Sequence, residues 1–139
     1  MKTRHFILMS TLLICLNFNF VWANAECDKA VSAAKAWLSL IDSGNYSDSW
    51  KDASTYFQGA VSEQNWVNGL VATREPLGKL ESRNMLKSQE TTNLPGAPDG
   101  KYVVMSFETA FEHRKSAIET VTFMADKNGK WCAAGYFIK

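Results

Sequence analysis

The chain has 139 residues, with 15 Lys and Arg against 14 Asp and Glu, and 46% of its residues are hydrophobic. This nearly neutral balance, without a block of like charges, argues against binding to nucleic acid or to an acidic membrane surface. The hydrophobic fraction is that of an ordinary globular protein.

The first 25 residues have the organisation of a cleavable secretory signal peptide. Lys2 and Arg4 provide a positive start, and the apolar run Phe6–Leu16 follows. Small residues in Ala23-Asn24-Ala25 occupy the two positions that signal peptidase inspects. The alternative, a membrane anchor, requires about 20 apolar residues, and this run is shorter. We therefore expect cleavage after Ala25, a periplasmic or secreted location, and no membrane span.

The predicted mature protein, residues 26–139, is 114 residues long and large enough to form a single domain with its own core. It retains two cysteines, Cys27 and Cys132. In an oxidising compartment an even pair favours one disulfide. That bridge would close a loop of about 100 residues and stabilise the fold by roughly 4–5 kcal/mol in the chain-entropy model. The alternative is two unrelated thiols.

The first half of the mature chain has helical periodicity. Apolar residues recur at helical spacing over Asp28–Ser43, and Gly44 is suited to end that helix. A second, shorter helix is predicted along the apolar stripe Tyr46–Phe57. A third is predicted over Ser62–Arg74, with the serine as its N-cap.

The second half changes to the period of two that is typical of strands. Strands are predicted at Leu80–Thr91, Lys101–Glu112, Ser116–Ala125 and Lys130–Ile138. The turn before the last strand places Gly129 in a left-handed conformation. Helices followed by an antiparallel meander predict an α+β fold, with about three N-terminal helices packed on a curved antiparallel sheet of about four strands.

Alternation along the strands assigns each side chain to one of the two faces of the sheet. The face covered by the helices is predicted to carry Val103, Met105, Phe107, Thr109, Phe111, Ala117, Glu119, Val121, Phe123, Ala125, Trp131, Ala133, Gly135 and Phe137. The opposite face is predicted to carry Tyr102, Val104, Ile118, Met124, Cys132, Tyr136 and Ile138, mixed with polar residues. That face is too apolar to be fully solvated, so either another element of the chain or a second subunit covers it. The second alternative leads to the hypothesis of a homodimer formed sheet to sheet.

Four ordered blocks of sequence resemble a known family. They are Trp37–Tyr46 with Ser49-Trp50, then Arg74–Arg83, then Leu94–Tyr102, and finally Glu119–Thr122 with Gly129-Lys130-Trp131 and Gly135-Tyr136. Together they are similar to the bacterial domain-of-unknown-function family 4019 (DUF4019), over nearly the whole mature chain. This resemblance implies a Gram-negative periplasmic or secreted protein without a known activity.

The order of helices and strands also resembles the nuclear-transport-factor-2-like superfamily, which implies a cone-shaped α+β fold. That superfamily includes isomerases, dehydratases and non-catalytic binding modules. The fold alone therefore does not select a function.

Several kinds of chemistry are disfavoured by the residues present. With the predicted signal peptide removed, His113 is the only histidine, and it lies at a predicted hairpin tip. That is a poor position for a buried base or for the partner of a nucleophile. The sequence lacks the clustered ligands of a metal site and a glycine-rich phosphate loop. We expect no metal and no cofactor.

Glu119 has the most distinctive predicted environment. Strand alternation places its carboxylate among the apolar side chains of Phe107, Phe111, Val121 and Phe123. A carboxylate in such surroundings must be paired, hydrogen-bonded or neutral. Arg74, at the end of the third helix, and Arg83, in the first strand, are the candidate partners. Such a pair is either a structural link between helix and sheet or the polar end of a pocket for an anionic or carbonyl-bearing ligand.

Two functions remain open at this point. The first is a small exported binding or accessory protein that engages a small molecule or a protein partner. The second is an isomerase- or lyase-type enzyme, with Glu119 as the base and Tyr46, Tyr56 or Tyr102 as the oxyanion donor. The lack of a recognisable acid/base constellation favours the first. The aromatic residues that either fill the core or line a pocket are Trp37, Trp50, Trp66 and Tyr102.

Overall fold

The computed structural model describes residues 18–139, with side chains described from Ala25 onward. The helices are α1 (Phe18–Asp42), α2 (Tyr46–Lys51), α3 (Thr55–Ala60) and α4 (Glu63–Thr73), followed by a 3-10 turn at Glu75–Leu77. The strands are β1 (Leu80–Thr91), β2 (Tyr102–Phe111), β3 (Arg114–Ala125) and β4 (Trp131–Ile138). They form one antiparallel sheet in the order β1-β2-β3-β4. The predicted α+β class is confirmed.

Helix α1 begins earlier than predicted, at Phe18 rather than at Asp28. Residues 1–17 of the predicted signal peptide lie outside the described residues, and the predicted cleavage site after Ala25 falls within the helix. Gly44 follows the end of α1 with a φ of 79°, the left-handed conformation that glycine adopts most readily. Between residues 18 and 139, no helix is both long enough and apolar enough to cross a membrane.

The predicted second helix is two helices, α2 and α3, because the chain leaves helical geometry before Ser54. Ser54 has an extended backbone (φ −62°, ψ 154°), and its side chain accepts a hydrogen bond from the Phe57 N–H. Its own N–H donates to the carbonyl of Ala133 in β4 at 2.8 Å. This bond to the sheet replaces a helical one, and Ser54 then caps α3. Ser62 caps α4, as predicted.

Strands β2 and β3 pair as predicted. Met105 lies opposite Val121, and Phe107 lies opposite Glu119. All four side chains are buried beneath the helices. The predicted inward face of these two strands is therefore confirmed.

Strand β4 contains a β-bulge that alternation alone does not predict. Ala133 pairs with Phe123, whereas Gly135 pairs with Thr122, so that Ala134 is the extra residue. One extra residue reverses the alternation of every later side chain. The predicted faces of the last four residues of β4 are therefore wrong. Tyr136 and Ile138 turn toward the helices, and Gly135 and Phe137 turn away from them.

The space between the helices and the sheet is filled by aromatic rings. The Trp37 side chain is 1% exposed. Its ring centroid lies 5.9 Å from those of Trp66 and Phe123 and 6.0 Å from that of Tyr136. Such edge-to-face and stacked contacts stabilise a core beyond the burial of apolar area.

The predicted Cys27–Cys132 disulfide is not present, because both cysteines are free. The Cys27 Sγ lies 3.7 Å from the Oγ of Ser88, which pairs with the inward-facing Met105. Cys132 pairs with Met124 on the opposite face. The sheet therefore separates the two thiols, whereas a disulfide requires Cα atoms within about 7 Å of each other.

Candidate functional site

A buried group of polar side chains lies where α1 ends above the sheet. We call it the polar cluster; its members are Asp42, Arg74, Arg83, Thr109, Glu119 and Tyr136. Glu119 and Thr109 are fully buried, and Arg74 is 3% exposed. Two carboxylates face two guanidinium groups, so that the cluster is formally neutral. A buried charge is tolerated when it is paired and hydrogen-bonded in this way.

Both carboxylate oxygens of Glu119 accept hydrogen bonds. Oε1 accepts from the Arg83 Nε at 2.8 Å and from the Thr109 hydroxyl at 2.6 Å. Oε2 accepts from the Tyr136 hydroxyl at 2.5 Å. The Glu119 carboxylate on β3 is therefore held by one side chain from each of the other three strands, β1, β2 and β4.

Arg83 joins the two acids of the polar cluster. Its Nη1 and Nη2 donate to the two oxygens of Asp42 at 2.7 and 3.0 Å, while its Nε donates to Glu119. Burial by itself lowers the pKa of Arg83, but the hydrogen bonds and negative charges of the two carboxylates outweigh it and raise that pKa. Arg83 is thus a permanent cation between α1 and β3.

Arg74 pairs with Asp42 and not with Glu119. Its Nη2 lies 3.2 Å from Asp42 Oδ1, and its Nη1 donates to the Gly78 carbonyl at 2.7 Å. The guanidinium carbon lies 4.3 Å from the centroid of the Phe111 ring, which is a cation–π contact. The Arg74 Nε is buried and has no hydrogen-bond partner among the described side chains and backbone.

The sequence from Arg74 to Lys79 explains why this arginine points inward. Pro76 is the second residue of the 3-10 turn, where its missing N–H is not needed. Gly78 then adopts a φ of 76°, and its carbonyl accepts the bond from Arg74. A Cβ on Gly78 would lie 2.8 Å from the Glu112 Oε2, so a larger residue would also have to displace this exposed side chain.

The β-bulge brings Tyr136 into the polar cluster. Its hydroxyl donates to Glu119, and its ring contacts Trp37. Burial, and then the negative charge of Glu119, raise the pKa of Tyr136. The phenol is therefore a stable hydrogen-bond donor over the physiological pH range.

Three members of the polar cluster are not singled out by the sequence alone: Asp42, Thr109 and Tyr136. Asp42 follows the last inward apolar residue of α1, which is a usable signal for a polar helix end that needs a cationic partner. The five-residue spacing of Trp131 and Tyr136 is a second signal, because two core aromatics at odd spacing in one strand require a bulge.

Of the three candidate tryptophans, Trp37 and Trp66 are buried in the core and Trp50 is partly buried against it. All three have satisfied N–H groups. The Trp37 Nε1 donates to the Ser49 carbonyl at 2.8 Å, and the Trp66 Nε1 donates to the Ser49 hydroxyl at 2.9 Å. The Trp50 Nε1 donates to the Val61 carbonyl at 2.8 Å. These bonds tie α2 to the neighbouring segments and leave no free indole donor for a ligand at these positions.

Tyr102 lies at the other end of the sheet from the polar cluster. Burial raises the pKa of its hydroxyl, which donates to the Pro98 carbonyl. It lines a cleft of about 790 Å³, together with Glu26, Glu90, Thr91, Thr92, Lys101 and Trp131. That volume is in the range of small-molecule sites. The structure therefore separates Tyr102 from Arg74, Arg83 and Glu119.

The described part of the chain, residues 18–139, contains no group of three His, Cys, Asp or Glu side chains positioned to hold a metal ion.

A family model described as "Protein of unknown function (DUF4019)" matches residues 33–136. No curated protein matches the chain significantly. The match spans about three quarters of the chain and includes every residue of the polar cluster. The chain therefore belongs to the DUF4019 family.

Proposed function

We propose that the protein is exported and acts outside the cytoplasm as a non-catalytic binding or accessory protein. The observation that carries this proposal is the state of Glu119, the strongest candidate for a general base. It is fully buried, and both of its oxygens accept hydrogen bonds from the protein. A general base must reach the proton that it removes, and the donors around Glu119 occupy that space.

The isomerase or lyase alternative requires a tyrosine that donates to a substrate oxyanion beside the base. Tyr136 is the tyrosine next to Glu119, but it donates to the carboxylate itself. Its ring packs against Trp37 and Trp66 in the filled core. These contacts support a structural role for the pair.

A homodimer is part of the proposal. We call the side of the sheet that faces away from the helices the outer face. Phe137 lies on it and is 59% exposed, and Val104, Ile118 and Met124 lie on the same face and are only partly buried. An apolar face of this kind marks an interaction surface, and we assign it to a second copy of the chain.

The catalytic alternative can be tested by hydrogen–deuterium exchange. Small ketones and enones would be incubated with the protein in deuterated buffer, and exchange at the carbon next to the carbonyl would be followed by NMR. We expect no acceleration by the protein. An acceleration that Glu119→Gln abolishes, while the circular dichroism spectrum is retained, would overturn the non-catalytic proposal.

Export can be tested by expressing the full reading frame with a C-terminal tag in a Gram-negative host. The expected product is periplasmic or secreted and has Glu26 as its N-terminal residue. Ala25→Arg should block cleavage and retain the longer precursor. Recovery of uncleaved wild-type protein in the cytoplasm would contradict this part of the proposal.

A further inference from the structure

The outer face has an arrangement of size and charge that specifies how two copies meet. We infer that the homodimer packs outer face to outer face about a two-fold axis parallel to β3. This inference rests on the proposed use of the outer face by a second copy, and it adds the geometry and the contacts. Such an axis places β2 of one copy over β4 of its partner. Residues of β2, β3 and β4 that pair with one another across the sheet form what we call a row, and each row faces the same row of the partner.

Size complementarity is the first argument. Ser106 and Phe137 both pair with Thr120 and thus share a row, with the small residue on β2 and the large one on β4. In the next row, Val104 lies on β2 and Gly135 on β4. The two-fold axis therefore sets the Phe137 ring over Ser106 of the partner subunit, and it sets Gly135 over Val104 of the partner subunit. Each protruding side chain meets a small one, as close packing between sheets requires.

Charge complementarity is the second argument. Glu108 on β2 and Lys139 after β4 both pair with Ile118 and share the third row. Both side chains are exposed, and within residues 25–139 neither has an ion-pair partner. The same axis opposes each glutamate to the lysine of the other copy, which gives two equivalent ion pairs. Opposed charges of this kind fix the register of an interface.

The centre of the proposed interface is β3, which faces β3 of the other copy. Its outward residues Thr120 and Thr122 are uncharged and partly buried. Tyr102 and Cys132 are already buried within their own subunit, so the row that contains them is left out of the area. Each outward residue covers roughly 33 Å² of a sheet, and the remaining three rows over three strands cover about 300 Å² in projection per copy. An interface of this size is typical of a weak, reversible dimer that forms at high protein concentration.

Strand β1 does not fit the same role. Its outward residues Asn84, Lys87 and Gln89 are polar and exposed. It also carries two β-bulges, which are a common protection of edge strands against pairing. Strand β1 therefore lies outside the apolar part of the interface, at its rim.

Sedimentation velocity over a range of concentrations tests this arrangement, on protein expressed from the full reading frame. We expect the wild type to be dimeric. Phe137→Lys should raise the dimer dissociation constant roughly 30-fold or more, because it replaces a central aromatic anchor. Leu86→Lys is the matched control: Leu86 is 56% exposed and lies on β1, outside the apolar part of the interface, so the dissociation constant of its dimer should change little.

A charge exchange tests the axis itself. Glu108→Lys should weaken the dimer roughly tenfold, because it opposes two positive charges at each of two sites. The double variant Glu108→Lys with Lys139→Glu restores opposite charges and should recover the wild-type dissociation constant.

The outcomes separate this inference from the proposed function. A dimer that resists Phe137→Lys, or a double variant that fails to recover, would overturn the two-fold arrangement while a homodimer still stands. A wild type that stays monomeric at high concentration would overturn both the arrangement and the homodimer. Circular dichroism confirms folding of each variant, and all the substituted residues are exposed.

Discussion

Arg83 and Asp42 form a bidentate ion pair, with Nη1–Oδ2 at 2.7 Å and Nη2–Oδ1 at 3.0 Å. The pair joins the C-terminal end of α1 to β1, and the same guanidinium also binds Glu119. One cation thus neutralises a carboxylate from a helix and one from β3, which lies two strands away in the sheet. The position of α1 on the sheet depends on this residue.

Arg83→Met should destabilise the protein by about 3–5 kcal/mol, because it leaves buried carboxylates without their main counter-ion. Urea unfolding at neutral pH measures the change. Lys115→Met is a matched control, since it breaks an exposed pair with Glu81 whose Nζ–Oε1 distance is 2.6 Å. Its cost should be below about 1 kcal/mol. Equal losses for the two variants would show that Arg83 is not a structural ion-pair residue.

Gly78→Ala should cost more stability than Gly44→Ala. Both glycines have left-handed backbones, with φ values of 76° and 79°. A Cβ at Gly78 would lie 2.8 Å from Glu112 and 2.9 Å from His113, whereas nothing lies within 4 Å at Gly44. We expect about 1 kcal/mol at Gly44 from the backbone alone and up to about 1 kcal/mol more at Gly78, because the Glu112 side chain must move and its bond to the Lys79 N–H is lost. Thermal unfolding of the two variants measures the difference, and equal melting temperatures would contradict the predicted clash.

The protein should lose stability at alkaline pH. Burial raises the pKa of Tyr46, Tyr102 and Tyr136, which in the unfolded chain titrate near 10.0. Above that pH the unfolded state binds fewer protons than the native state, so the free energy of unfolding falls as the pH rises. Above pH 10, each phenol that stays protonated in the native state lowers the free energy of unfolding by up to about 1.4 kcal/mol per pH unit.

Urea unfolding at a series of pH values from 7 to 11.5 measures this fall, which should begin near pH 10. The part of the tyrosinate absorbance at 295 nm that comes from these three of the four tyrosines should appear together with unfolding. Tyr136→Phe should make the alkaline fall less steep. A free energy of unfolding that stays constant up to pH 11.5 would rule out the predicted linkage.

The two cysteines should react as free thiols at different rates. Cys132 is 8% exposed, and burial raises the pKa of its thiol, so little reactive thiolate forms. Cys27 is partly exposed. In native protein purified without reductant, a chromogenic disulfide reagent should react quickly with Cys27 and slowly with Cys132, and denaturation should release both. Cys27→Ser should remove the fast phase only; denatured wild type with no titratable thiol would contradict this assignment.

Much of the fold could be predicted from the sequence, because it depends on local signals. The bounds of β1, the N-cap at Ser62 and the left-handed Gly129 each follow from one short stretch of sequence. The inward position of Glu119 follows from strict alternation in β3. These features do not require knowledge of distant contacts.

The remaining features depend on contacts between distant segments. The break between α2 and α3 reflects the bond from Ser54 to Ala133, which alternation and helical spacing do not reveal. The separation of Cys27 from Cys132 depends on which side of the sheet α1 covers. The partner of Arg74 depends on where α1 ends, which brings Asp42 rather than Glu119 to its Nη2.

The bulge at Ala134 lets β4 carry one residue more than strict alternation allows. Because the bulge absorbs that residue, Trp131 and Tyr136 both face the core although five positions separate them, and Phe137 lies on the outer face. Deletion of Ala134 would place Ala133 next to Gly135, so that regular alternation would keep Tyr136 in the core and Phe137 on the outer face. Within this family, relatives that lack this one residue should therefore have a regular β4 with the same two faces.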